Sequence, residues 1–366
     1  MKKELTGIEV KYLVKELQSI VGGRIDKPYH HEREVFFRIN TDSGKRILRI
    51  KPPLVWLSEK KPIAPEKITS FSAILRKYVQ GGKIKSVTQL NSERVIKITV
   101  SRKDADYFLY IELFGTGNVI LTDSHDHILL PLEKQEWKDR TVDTGQEYSL
   151  PLTKLDTFNV SEKDFVDAIT KFNAAISKTL AVDFSLGGTY AEDLCLLANI
   201  DKTKEKVNEK EAKKLYLALH KLLTTEFDAR IVYENKEIID IVPFEIHKYT
   251  DKKQTKFESY NAALDSELSK DVEEAPVINV EEKYSEKISK IKNIVQIQQD
   301  SLLKNEKRVS ELQKKGEVIY EKYQELEKLV EEIKKFKEKF GWKNIRQKFP
   351  KIKKVDEKEG EVTIDL

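Results

Sequence analysis

Few residues in this chain are placed to do chemistry. Glu93 and Arg94 open the stretch Val95–Val100, where Ile96, Ile98 and Val100 share one side of a strand and Val95, Lys97 and Thr99 the other. Arg94 has the parity of the apolar side. A charge there must be paired, reach the edge, or face a partner. Its five fixed donors suit a phosphate or a base edge. Glu9 stands three residues after Thr6, the spacing of a capping box, and that role alone accounts for it.

Catalytic sets are missing. His30-His31 and His125-Asp126-His127 lack the order of a zinc site, and the single Cys195 sits among Leu194, Leu196 and Leu197 as a core residue would. Phe114-Gly115-Thr116-Gly117 is a tight hairpin turn rather than a nucleotide loop, because a third glycine and a following Lys-Ser/Thr are absent. No catalytic residue, metal site or cofactor is therefore expected, and the chain reads as a binding protein.

The elements around these residues repeat. Leu13–Tyr29 followed by Glu34–Ile39 parallels Ser72–Thr88 followed by Glu93–Ile98, about 59 residues later. Each unit reads helix, Gly-Gly, basic-Ile, strand, turn, strand. Phe71, Ile74, Leu75, Tyr78 and Val79 recur at helical spacing before Gly81-Gly82. Tyr107–Leu113 and Asn118–Thr122 flank the hairpin turn.

This pattern, closing with Glu112-Leu113-Phe114-Gly115-Thr116-Gly117-Asn118-Val119-Ile120-Leu121-Thr122-Asp123, resembles the N-terminal domain of the NFACT family. The fit runs from about Leu5 to Gly341. Members of that family are ribosome-quality-control factors that bind obstructed large ribosomal subunits and tRNA. The resemblance implies a non-enzymatic cytoplasmic RNA-binding protein that supports mRNA-independent C-terminal tailing of stalled peptides. Its implied partners are the large ribosomal subunit, peptidyl-tRNA and aminoacyl-tRNA.

The family's tRNA-handling residues are an Asp in the first helix and an Asp-Arg pair on a strand. The matching positions are Glu9, Glu93 and Arg94, with both acids one methylene longer. The resemblance further implies an α+β fold: a glycosylase-like N-terminal α/β domain, a helix-hairpin-helix module and a long coiled-coil helix. A DNA-binding or repair-related protein is the alternative function, though Met1-Lys2-Lys3 stands where formamidopyrimidine-type glycosylases carry their N-terminal proline nucleophile.

The expected organisation is an N-terminal domain over 1–155, the helix-hairpin-helix module over 156–228, a small β and connecting segment over 229–280, a coiled coil over 281–340 and the start of a middle segment over 341–366. Ser161 caps a helix carrying Phe165, Ile169, Phe172, Ile176 and Leu180, and Leu150–Thr157 reads as a linker. Ser185-Leu186-Gly187-Gly188 ends that helix, and Thr189 to Glu192 has capping-box spacing for the next. Gly187 and Gly188 would present free amides to a phosphate. Arg24, Lys27, Arg76, Lys77 and Lys83, which flank the two Gly-Gly stops, are further RNA- or phosphate-binding candidates.

Ser269–Val280 is acidic and reads as a loop. Tyr284, Ile288, Ile291, Val295, Leu302, Val309 and Leu312 then form a seam at alternating 4,3 spacing, continued by Ile319, Tyr323, Leu326, Val330, Ile333 and Phe340. Such a seam needs a partner helix, so self-association is expected in a chain lacking the returning helix. Glu361–Leu366 reads as one strand, and the chain as a fragment or a shortened member.

Composition sets the remaining bounds. Charged residues are 35% of the 366, yet the net charge is only +4, so a polyanion would be met by local patches. The lone cysteine precludes an internal disulfide, and no apolar run approaches the roughly 20 residues of a membrane span. The start, Met1 to Val10, lacks a signal peptide's apolar core, and a secreted adhesin is not supported.

Overall fold

Helix α1 (Gly7–Leu17) is buried on two sides, and the rest of the first unit is built around it. The capping box is present: Thr6 Oγ1 accepts from the Glu9 amide and Glu9 Oε2 accepts from the Thr6 amide. Val10, Leu13 and Leu17 join the core of a large sheet, while Ile8 and Tyr12 join the core of a helical layer. The computed structural model describes residues 2–60, 62, 68–151, 155–270 and 280–365. Parts of the expected linker (152–154) and acidic loop (271–279) lie outside the described residues.

The sheet is antiparallel and has nine strands. They are β1 (Arg24–His31), β2 (Glu34–Thr41), β3 (Gly44–Lys51), β4 (Leu54–Ser58), β5 (Lys83–Gln89), β6 (Val95–Ser101), β7 (Asp106–Glu112), β8 (Asn118–Thr122) and β9 (Ile128–Pro131), in the order β4-β3-β2-β1-β5-β6-β7-β8-β9. A four-stranded meander, β1 to β4, and a five-stranded one, β5 to β9, therefore meet at β1 and β5.

Their junction carries the duplication. The Gly22 amide donates to Ile84 O and the Ile84 amide to Gly23 O; the Gly81 amide donates to Ile25 O and the Ile25 amide to Gly82 O. Each pair of bonds is the other's equivalent under a shift of 59 positions. The same bulge follows in both halves, between Ile25 and Lys27 and between Ile84 and Ser86. Helix α2 (Ser70–Val79) is the second half's counterpart of α1.

A helical layer follows: α3 (Glu162–Ile169), α4 (Ile176–Val182), α5 (Gly188–Ala198) and α6 (Glu209–Leu223). The sequence predicts one helix from Ser161 to Leu180, but Thr170–Ala175 breaks it. Thr170 Oγ1 bonds back to Val166 O at 2.7 Å, and the Lys171 and Phe172 amides close short turns on Ala168 O and Ile169 O. The expected capping box of Thr189 is also corrected. Helix α5 begins at Gly188 with Gly187 as N-cap and no side-chain cap, so Thr189 already lies inside it.

A small sheet, β10 (Gln135–Trp137) with β11 (Arg140–Val142), and a three-stranded one, β12 (Arg230–Glu234), β13 (Glu237–Val242) and β14 (Lys253–Lys256), complete this unit with α7 (Tyr260–Leu268).

Residues 276–366 form a second compact unit. It holds α8 (Val280–Glu321), α9 (Tyr323–Phe340), α10 (Ile345–Lys348) and the hairpin β15 (Ile352–Asp356) with β16 (Glu361–Ile364). The helix runs through Gly316 and is interrupted at Lys322, whose φ of −100° and ψ of 16° leave the helical range. Seam residues Ile291, Val295, Leu302, Val309, Leu312, Ile319, Tyr323 and Val330 are exposed; the side chains of Tyr284 and Ile288 are outside the described ones. Ile333 leaves the expected seam: it is buried with Ile345, Phe349 and Ile352. No helix among the described residues is long and apolar enough to cross a membrane.

Candidate functional site

Three backbone segments converge at the start of α1 with no room to spare. A Cβ added to Gly7 would stand 2.6 Å from Ser92 O and 3.1 Å from Ser185 O. One added to Gly187 would stand 2.6 Å from Thr6 Cγ2, and Gly187 also has a φ of +78° that disfavours any side chain. Gln89 Nε2 ties the convergence together, donating to both Gly7 O and Glu93 O at 2.9 Å. The buried Ser92 hydroxyl accepts from the Thr157 amide at 3.1 Å.

Around this point opens a cleft of about 930 Å³. It is lined by Glu93 and Arg94 from the turn before β6, by Gly187 and Gly188 at the start of α5, and by Lys2, Thr6 and Asp240. The turn and the α5 start are far apart in sequence and are brought together here.

Arg94 does not lie on β6 as its parity predicts; it precedes the strand. Its carbonyl still accepts from the Leu113 amide at 2.8 Å, but its side chain emerges at the cleft and pairs with Glu4 Oε2 at 2.8 Å. Glu93 accepts from Ser185 Oγ at 3.3 Å, and burial pushes its carboxyl up against the opposing effects of Ser185 and Arg94. Ser185 holds a φ of +55°, a conformation costing a non-glycine residue about 1 kcal/mol or more. The first-turn amides of α5 open on the cleft without a side-chain cap.

Glu9 is beneath the cleft, not in it. It is fully buried, so its placement among tRNA-contacting residues is corrected to a supporting one. Lys2 Nζ bridges Glu9 Oε1 at 2.5 Å and Asp240 Oδ1 at 2.6 Å. The Tyr190 hydroxyl donates to Glu9 Oε1 at 3.1 Å and the Tyr249 hydroxyl to Asp240 Oδ2 at 3.0 Å. Burial raises the Glu9 carboxyl, with Lys2 opposing. Burial lowers the Lys2 ammonium, but Glu9 and Asp240 together carry it above its usual value.

Lys2 and Asp240 escape a reading of the sequence, because 238 positions separate them. One signal was there: an aspartate inside the apolar run Ile238-Ile239-Asp240-Ile241-Val242.

The other basic candidates gather elsewhere, on the β1–β5 junction and α2. Arg24 and Lys83 are cross-strand partners and equivalents in the duplication. Arg76 Nε donates to Pro28 O at 3.2 Å. Tyr29 stacks on Phe36 with ring centroids 4.7 Å apart, and Arg76, Lys27 and Arg38 lie 5.5, 5.6 and 5.9 Å from the Tyr29 ring. Lys77 is exposed beside Arg76. Arg38 is paired with Asp26, but among the described residues none of Arg24, Lys27, Arg76, Lys77 and Lys83 is in an ion pair. The structure thus places them together, apart from the residues lining the cleft.

Cys195 is buried, and burial pushes its thiol up to about 11. No group of three or more His, Cys, Asp or Glu placed to hold a metal occurs among the described residues.

A nine-stranded antiparallel sheet joined to a helical layer across a polar cleft defines a class with solved representatives. The N-terminal part of the fibronectin/fibrinogen-binding protein of Streptococcus suis superposes with a TM-score of 0.61 at 22% identity, covering 72% of this chain and 99% of that one. The model of the NFACT N-terminal and middle domains matches residues 6–353, and the chain belongs to that family.

An archaeal Rqc2 homologue, aRqcH of Methanocaldococcus jannaschii, is 30% identical over all of this chain and 58% of its own length. Ribosome quality control complex subunit 2 of Schizosaccharomyces pombe is 27% identical over 44% of this chain and 17% of its own. The chain thus spans little more than half the length of the archaeal relative.

Proposed function

We propose that this chain belongs to a ribosome-associated quality control factor that binds obstructed large ribosomal subunits and tRNA and performs no catalysis of its own. Family membership supports the ribosomal role, together with the names of its relatives. The observation that carries the binding role is the convergence of Glu93, Arg94, Gly187 and Gly188 on one cleft.

The two surfaces have different chemistry. The cleft is charge-balanced: Arg94 is paired with Glu4, Lys248 with Glu192, and Lys2 with Asp240. It suits recognition by hydrogen bonds more than the tracking of a polyanion. The unpaired cations around β1, β5 and α2 suit phosphates. Phosphate contacts position a nucleic acid and base contacts specify it. We assign the first task to Arg24, Lys27, Arg76, Lys77 and Lys83 and to the α5 start at Gly187 and Gly188, and the second to Glu93 and Arg94 on the cleft rim. The layer α3–α6 takes the place of the helix-hairpin-helix module in this reading. In the whole protein the ligands would be peptidyl-tRNA and aminoacyl-tRNA, in the cytoplasm, with mRNA-independent tailing of the stalled peptide as the outcome.

The test is tRNA binding as a function of salt. Five phosphate contacts predict a log–log slope of roughly −4. Neutralising the five cations should flatten that slope. A flat response in the wild-type chain would refute the electrostatic assignment. Abasic duplex DNA competing as well as tRNA would favour the repair-related alternative.

The exposed seam of α8 and α9 is proposed as half of a coiled coil. The second unit should self-associate or exchange its amide hydrogens quickly along α8. A monomer with fully protected α8 amides would contradict this.

A further inference from the structure

The cluster under the cleft has a charge problem that one residue solves. Glu9 comes from α1 and Asp240 from β13, and both carboxylates are buried or nearly so. Thr189 and Tyr190 from α5, and Tyr249 from the turn after β13, supply only hydroxyls: Thr189 Oγ1 to Asp240 Oδ2 at 3.4 Å, and the two phenols already described. Tyr260 of α7 is buried alongside, with its hydroxyl without a hydrogen-bond partner among the described residues. Lys2 is thus the one cation that the described structure brings against these two carboxylates. With it the trio carries a net charge of −1; without it, −2. On the rim, Arg94 and Lys248 are engaged by Glu4 and Glu192, and the exposed Lys3 makes no ion pair with Glu9 or Asp240.

The carboxylate pair sits directly under the first turn of α5, through Thr189 and Tyr190. That turn's uncapped amides, with the helix dipole behind them, form the cleft's anion-attracting end. A second uncompensated negative charge there would draw those amides inward and repel a phosphate.

We propose that Lys2 is a positioning residue for the cleft: by neutralising Glu9 and Asp240, it keeps the start of α5 open to an anionic ligand. This rests on the cleft being a nucleic-acid site. Lys2 itself is nearly buried, with its side chain 8% exposed, and acts through the carboxylates rather than by touching the ligand.

The test compares Lys2→Met, Lys2→Arg and the double variant Lys2→Met/Asp240→Asn in the full chain. Each is read by bulk tRNA binding and by hydrogen exchange at the Thr189 and Tyr190 amides. Lys2→Met should bind roughly tenfold more weakly at neutral pH, equivalent to about 1.4 kcal/mol. Its binding should recover as the pH becomes mildly acidic, because one of two adjacent unpaired carboxylates then takes up a proton and the charge returns to that of the wild type. Lys2→Arg should bind like the wild type. The double variant removes one charge of each sign and should recover most of the loss without any change of pH.

A double variant as weak as Lys2→Met, with no recovery in acid, would overturn the proposal and leave Lys2 a packing residue. Should Lys2→Met fail to fold, the double variant decides alone: tRNA affinity near that of the wild type supports the proposal, and a roughly tenfold loss refutes it. If the wild-type chain does not bind tRNA, the functional reading fails. The exchange rates then still decide the role of Lys2: its removal should slow exchange at Thr189 and Tyr190, because the uncovered negative charge draws those amides inward, and the double variant should restore the wild-type rates.

Discussion

Glu9→Ala should destabilise the protein by about 3 kcal/mol, the lower end of the range for breaking a buried ion pair. The lower end applies because Lys2 keeps Asp240 as a partner. The variant still leaves the Tyr190 hydroxyl without its acceptor and opens the capping box at Thr6. Both groups are buried or partly buried, and each unmade hydrogen bond adds to the cost. Against a typical total of roughly 5–15 kcal/mol, this is a large share. Chemical denaturation of the two proteins would measure it. The loss of tRNA binding in this variant should follow the unfolded fraction, since Glu9 has no exposed surface with which to touch a ligand. A fully stable Glu9→Ala protein that has lost tRNA binding would contradict this.

Arg94→Ala should behave in the opposite way. The Arg94 side chain is 28% exposed and its partner Glu4 61%, so their ion pair contributes under about 1 kcal/mol to folding. The melting temperature should hardly move. Arg94 nevertheless projects into the cleft between Glu4 and the α5 start, and its fork of donors is free to exchange Glu4 for a ligand. Loss of one charge-assisted hydrogen bond predicts tRNA binding weaker by roughly 1.5–3 kcal/mol. Large-subunit binding should survive better, since other surfaces share that load. Wild-type tRNA affinity in the folded variant would return Arg94 to a strand-end ion pair. Together the two variants separate a residue that supports the cleft from one that acts in it.

The parts of this architecture that were legible in the sequence are those fixed by local rules. The capping box of Thr6 and Glu9 is a four-residue pattern, and it is present. The two Gly-Gly stops announced the duplication, and the second glycine of each is required by close packing: a Cβ on Gly23 would stand 2.9 Å from Ile39 Cγ2 and one on Gly82 2.5 Å from Val100 Cγ1. Where tertiary contact decides, the local reading failed. Thr189 has better capping chemistry than Gly187, yet the close approach of Thr6 selects glycine as the N-cap. Arg94 keeps the strand's alternation and its carbonyl still bonds to the Leu113 amide, but β6 itself begins at Val95 and the Arg94 side chain turns to Glu4 near the amino terminus. The short strands β9 to β11 carry too few residues for a period to show. The Lys2–Glu9–Asp240 cluster joins residues from the two ends of the first unit, which no window on the sequence can bring together.

The most direct test of the central claim is photo-crosslinking from the cleft rim. Val182 lines the cleft and is 68% exposed, so a photoreactive side chain there should leave the fold intact and face whatever the cleft holds. Crosslinked RNA recovered from cells and sequenced should be tRNA, in company with large ribosomal subunits, and the yield should collapse when Arg94→Ala is introduced. Crosslinks to DNA, or a tRNA yield indifferent to Arg94, would contradict the account.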